Sequence, residues 1–133
     1  MSDTDPGQVT RRLFELLGSQ DLDQVTTLFA DRVEFAVPSA PDVPWIPAAN
    51  SPAGMREFFA GLPTHLEAKR FVVAKIINDA EDAVALGDLV SVVRATGRTI
   101  TSRFVVHIGV HEGKINRYVM YEDSWAVAQA LND

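Results

Sequence analysis

Between Asp5 and Leu17 the apolar residues Val9, Leu13, Phe14, Leu16 and Leu17 recur at spacings of three to four, which predicts a helix with one buried face. Gly18 is expected to end it. The run "SQDLDQVTTLFA" predicts a second helix from Ser19 or Asp21, with Leu22, Val25, Leu28 and Phe29 on one side. "RVEFAV" reads as a short strand closed by Pro38. Residues 38–50 hold four of the seven prolines and predict an irregular extended loop, in which Trp45 and Ile46 are large apolar exceptions. "SPAGMREFFAGL" then offers an N-cap at Ser51, a first-turn Pro52 and an apolar face of Met55, Phe58 and Phe59, hence a third helix.

From Glu67 the period changes. "AKRFVVAKII", "AVALGDLVSVV", "TITSRFVVHIGV" and "INRYVMYED" are rich in β-branched residues and separated by "NDAED", "ATGR" and "HEGK", which predicts four long strands in an antiparallel meander. "SWAVAQAL" predicts a short closing helix. Helices first and strands second give an α+β class, with helices laid on one face of a curved sheet. On the last strand Tyr118, Met120 and Glu122 share one face, and Val119, Tyr121 and Asp123 the other.

The length of 133 residues fits one domain spanning residues 1–133. Composition adds exclusions: 47% hydrophobic and 23% charged residues suit an ordinary folded chain. A net charge of −6 with scattered basic residues argues against nucleic acid or an anionic membrane as partner. With no cysteine there is neither a disulfide framework nor a thiolate site. The polar start "MSDTDPGQ" lacks the pattern of a signal peptide, and no apolar run reaches the length of a membrane span, so the expected location is the cytoplasm.

"LFELLGSQDLDQVTTLFADRVEF", the Pro-rich loop, "SPAGMREFFAGL" and "VHEGKINRYVMYED" resemble the nuclear-transport-factor-2-like superfamily, in particular its SnoaL-like and ketosteroid-isomerase-like branch. The resemblance implies a cone: three N-terminal helices close the mouth of a strongly curved, mainly antiparallel sheet around an interior pocket, and a short helix ends the chain. The fold leaves the reaction open, since it carries isomerases, cyclases, epoxide hydrolases, dehydratases and binding domains.

The resemblance also locates the isomerase machinery of an aspartate base and a tyrosine plus protonated-aspartate oxyanion hole, an arrangement well known as an example of pKa tuning. Its three places fall on Val37, Leu13 and Val106. All are hydrocarbon, so that constellation cannot move a proton here. Epoxide hydrolysis is disfavoured as well, because Arg103 has Thr101 and Val105 as its same-face neighbours instead of an acid.

What remains follows from the resemblance combined with alternation. Tyr118, Met120 and Glu122 face inward, as do Ser102, Phe104 and Val106 on the preceding strand and Leu89 and Ser91 on the one before. Glu122 is then the candidate acid or base, its charged form disfavoured by apolar surroundings, and Tyr118 its catalytic companion. Substrate contacts are expected from Trp45 over the mouth, His65 at the rim, the hydroxyls of Ser91 and Ser102, and the walls Phe104, Val106, Met120 and Val37. The alternative roles are core filling for Trp45, bonds to local backbone for the two serines, and an exposed loop position for His65.

His107 and His111 span roughly 13 Å on a strand and cannot chelate one ion. Neither a phosphate loop nor a Rossmann fingerprint occurs, so neither metal nor cofactor is expected. The reading is a cofactor-independent cyclase or isomerase type of enzyme acting on a small apolar, polyketide- or terpenoid-like molecule. The alternative is a non-catalytic ligand-binding or assembly domain. The outward set Val90, Val92, Val105, His107, Val119 and Tyr121 is expected to join two copies into a homodimer.

Overall fold

Each helix begins on a cap that is an acid or a serine, among them the expected Asp21 and Ser51. In the computed structural model, which describes residues 5–132, helix α1 spans Pro6–Gly18 and its Asp5 carboxylate accepts from the Gln8 N–H. Helix α2 (Leu22–Thr27) is capped by Asp21, α3 (Pro52–His65) by Ser51, and α4 (Ser124–Leu131) by Asp123, whose carboxylate accepts from the Ala126 N–H at 3.0 Å. The last of these fixes the fate of one acid in "YED". Asp123 is bound to the start of a helix, where an anion offsets the unpaired N–H groups.

Two boundaries differ from the expectation. α1 runs through Gly18, and the left-handed residue that turns the chain is Gln20 (φ 61°), with the Asp21 N–H closing back onto the Leu16 carbonyl at 3.0 Å. α2 stops at Thr27, one turn early, and strand β1 is Phe29–Ala36. Tertiary pairing causes this: the Ile115 N–H donates to the Leu28 carbonyl at 2.8 Å and draws Phe29 into the sheet.

Strands β2 (Leu66–Asn78), β3 (Asp82–Val93), β4 (Thr99–His111) and β5 (Lys114–Glu122) form the expected antiparallel meander. The β4–β5 hairpin turns on Glu112 (φ 52°) and Gly113 (φ 79°), both left-handed as a type I′ turn requires. β1 adds to β5 in parallel, giving the order β1-β5-β4-β3-β2. The result is the α+β cone: α1 lies on β2, β3 and β4, α3 on β1 and β2, and α4 on β4. No helix among the described residues is long and apolar enough to cross a membrane.

Alternation decides the two faces. Along β3 and β4 the odd and even positions respectively are buried, from Ala83 to Val93 and from Ile100 to Ile108, and they meet Leu13, Val25, Met55 and Val127, each 0% exposed. Gly87 is the one inward position of β3 without a side chain. A Cβ there would stand 2.0 Å from the Val72 carbonyl oxygen and 2.5 Å from the Phe104 ring, so glycine lets the ring of Phe104 lie across the strand and stack on Phe71 at 4.5 Å. Gly87→Ala should therefore destabilise the fold by about 1–3 kcal/mol through overpacking. Urea denaturation would show this as a lower midpoint with an unchanged slope; an unaltered midpoint would mean the backbone relaxes freely.

Candidate functional site

The inner face of β4 and β5 gathers most of the anticipated residues by register alone. Phe104 lies opposite Glu122, Val106 opposite Met120, and Ile108 opposite Tyr118, so their side chains form one contiguous patch. Ser91 lies opposite Ile100 on the neighbouring strand, and Leu89 opposite Ser102. Val37 follows the end of β1, whose Phe35 pairs with Tyr118 and Ala36 with Val119.

Glu122 is half-buried in this patch, and burial pushes its carboxyl above the ordinary value of 4.5. Tyr118 is only 4% exposed, and burial, followed by the nearby Glu122 carboxyl, raises its phenol far above the usual range. Its hydroxyl thus stays a proton donor at any physiological pH. That hydroxyl makes no hydrogen bond among the described residues, and it is not one of the sealed unpaired oxygens, which are Thr10 Oγ1 and Ser39 Oγ. The Cα atoms of Tyr118 and Glu122 are roughly 13 Å apart along the strand. The Glu122 carboxyl is nevertheless near enough to act electrostatically on the Tyr118 phenol.

Three phenyl rings surround Tyr118 and a fourth backs one of them, none of them among the residues that the sequence assigns to the site. Phe59 stands edge-on to it at 5.6 Å, Phe58 at 6.2 Å and Phe35 stacks at 6.1 Å, with Phe29 behind Phe59 at 6.4 Å. Phe35 had a usable signal, since Val33, Phe35 and Val37 alternate on one strand. Phe58 and Phe59 were legible as core, and only tertiary packing brings them to a tyrosine 59 or more positions away in the chain.

The other candidates separate. The Ser102 hydroxyl donates to the Arg103 carbonyl at 2.6 Å and accepts from the Asp123 N–H at 2.9 Å, so its one proton is used by the backbone and it braces the entry into α4. Trp45 is 7% exposed and packs on His65 with centroids 6.3 Å apart. His65 is tied to the end of β3 by the Arg94 N–H, which donates to its carbonyl at 2.9 Å. Trp45 thus anchors the Pro-rich loop against the end of α3. Of the pocket lining anticipated from alternation, only Val37 borders the depression of about 270 Å³ between the end of β1 and residues 46–50; around Tyr118 the space is occupied by the rings.

Arg103 points outward, as alternation required, and lies in register with Asp88. His107 is outward too, and its Nε2 is 2.8 Å from Asp82 Oδ1. Arg117 joins this charged row through Glu34 at 3.0 Å, which ties the parallel strand β1 to the meander.

The comparisons agree with this architecture. A nuclear-transport-factor-2-like protein from Burkholderia xenovorans superposes with a TM-score of 0.85 at 21% identity, over 94% of this chain and 94% of its own. One of unknown function from Burkholderia pseudomallei gives 0.82 at 22% identity, over 100% of both chains. A SnoaL-like polyketide cyclase from Agrobacterium tumefaciens gives 0.74 at 18% identity, over 99% of this chain and 100% of its own. At these identities the likeness speaks for the fold alone. No curated protein matches the chain. A model of the SnoaL-like domain does match, over residues 10–118 and so most of the chain, and on that match the protein belongs to the SnoaL-like family within the nuclear-transport-factor-2-like superfamily.

Proposed function

We propose that the protein is a cofactor-independent enzyme of the cyclase or isomerase kind, acting on a small, mainly apolar molecule that bears an oxygen. The observation that carries this reading is Glu122: a carboxyl on the inner face whose burial raises its pKa, on the same strand face as a phenol that keeps its proton. Glu122 lies beyond the segment matched by the family, so its role rests on the geometry of this chain.

In the carboxylate form Glu122 takes a proton from the carbon next to a carbonyl, and the bonding pair moves onto the carbonyl oxygen as an enolate. The Tyr118 hydroxyl donates a hydrogen bond to that oxygen. Glu122 then returns the proton, to the same carbon or to another. Burial suits it to both halves, because a base whose pKa lies nearer neutrality is also a competent acid. Val106, Met120 and Phe104 supply the apolar wall.

Proton exchange tests the reading without knowledge of the natural substrate. In deuterated buffer the protein is expected to speed deuterium uptake next to the carbonyl of 2-tetralone, a neutral bicyclic ketone, above the buffer rate. A rate equal to that of buffer would leave the non-catalytic binding domain in front, which the filled space around Tyr118 and the hydrocarbon side chains of Leu13, Val37 and Val106 also favour.

The protein is further proposed to act as a homodimer through the outer face of the sheet. The described helices pack on the other face, and Val72, Ile77 and Tyr121 are 36%, 51% and 49% exposed on this one. Val119 takes less part than alternation suggested. It faces outward but is 5% exposed, since it sits in a central strand between His107 and Ala36. In support of this reading, Asp88 lies in register with Arg103, an acid and a base side by side on one face, as a self-complementary two-fold interface requires.

A further inference from the structure

Among the described residues β1 has β5 as its only strand neighbour and so leaves one edge of the sheet without a strand. The Pro-rich loop runs back along that edge and bonds to it once, where the Val33 N–H donates to the Asn50 carbonyl at 3.0 Å. Backbone groups of an extended strand alternate sides, so two residues on, the N–H and C=O of Phe35 belong to this same edge. Continued antiparallel from the Val33–Asn50 contact, the ladder would set Phe35 against Ala48 and Val37 against Ile46. No hydrogen bond among the described residues joins those pairs. The segments stand apart instead, and between Phe35–Val37 and residues 46–50 lies the depression of about 270 Å³.

We propose that this cleft binds a small, neutral, mostly apolar molecule with a carbonyl or hydroxyl oxygen, which occupies the place of the unformed ladder. The chemistry of the walls selects that class. Among the eight lining residues Asn50 alone has a polar side chain and none is charged, in a chain with 12 basic and 18 acidic residues. A carboxylate or phosphate would find no counter-charge there. An oxygen would find the Phe35 N–H, an edge donor that a folded protein otherwise covers. The volume is near the lower end of the ~300–1,000 Å³ of ligand sites, which suits a molecule of one or two rings and excludes a long peptide. The Phe35 ring is also the stacking partner of Tyr118, so the cleft and the candidate catalytic face share a wall. The proposal holds whether or not Glu122 acts as an acid or base.

Methyl NMR of the full chain, titrated with 2-tetralone, tests it. Saturable shifts are expected at the methyls of Val37, Ile46 and Ala48, and Ala48→Trp, which fills the cleft, should weaken binding at least tenfold. Ala48→Leu gives the same reading if the tryptophan disturbs the fold. Shifts confined to Val106 and Met120, an affinity unchanged by the substitutions, or no saturable shift up to the solubility of the ketone would each overturn the cleft as a binding place. Deuterium uptake in the same samples keeps the two readings apart. Exchange without shifts in the cleft removes this proposal and leaves Glu122 standing, whereas shifts without exchange do the reverse.

Discussion

Glu122→Gln should lower the rate of proton exchange by roughly 10²–10⁴-fold, the usual contribution of a positioned general base, and at the same time make the protein more stable at neutral pH. The two effects share one cause. Burial holds the folded-state pKa of Glu122 above its ordinary value of 4.5, so the folded chain binds this proton more tightly than the unfolded chain does. Below the unfolded value both states carry the proton, and Glu122 costs no ionisation energy. As pH rises through the window from that value to the raised native one, the wild type loses stability, and above the window the loss is constant. Glutamine keeps the shape and never ionises. Its advantage in thermal midpoint should therefore be absent at the acid end, grow across the window and level off above it. If Glu122→Gln matched the wild type in exchange rate, the catalytic role would be lost. If it also showed no gain in midpoint at neutral pH, Glu122 would have to be regarded as a solvated strand end.

Val105→Asp should convert the protein from dimer to monomer. Light scattering of the wild type is expected to return twice the chain mass of 14.6 kDa, because no helix among the described residues covers the outer face. Val105 lies opposite Leu86 on one side and the half-exposed Tyr121 on the other. Two-fold symmetry places two new carboxylates in the interface at once. Juxtaposed like charges cost several kcal/mol, which corresponds to about 10³-fold or more in the dissociation constant. Val105 is preferable to the buried Val119 for this test, since a charge there acts on association rather than on folding. Circular dichroism should stay native while the mass falls to that of one chain. A wild type that remains monomeric at high concentration would refute the interface.

Much of the fold was legible because it rests on local chemistry. Ser51 and the run "HEGK" carry their cap and turn in their own side chains or backbone preferences, and the period of two along β3 and β4 needs only one buried face to be read correctly. The boundary of α2 was not legible. Leu28 and Phe29 continue its apolar face, and only the hydrogen bond from Ile115, 87 residues on from Leu28, turns them into strand. Gly87 lies unmarked within the strand that the sequence predicts, because the ring it admits comes from the neighbouring strand.

The candidate site divides along the same line. Sequence alone determined that Tyr118, Met120 and Glu122 share a face, and the resemblance indicated that the face is the inner one, because alternation is a property of the strand itself. It could not determine what fills the space before them. The phenyl rings of Phe35, Phe58 and Phe59 reach Tyr118 from three-dimensional neighbours, the Ser102 proton is taken by a carbonyl next door, and the depression opens at the edge of β1 because one ladder stops after a single bond. Alternation fixes direction over a few residues. Which group occupies a volume is fixed by all the segments that converge on it, and that was decided only by the tertiary structure.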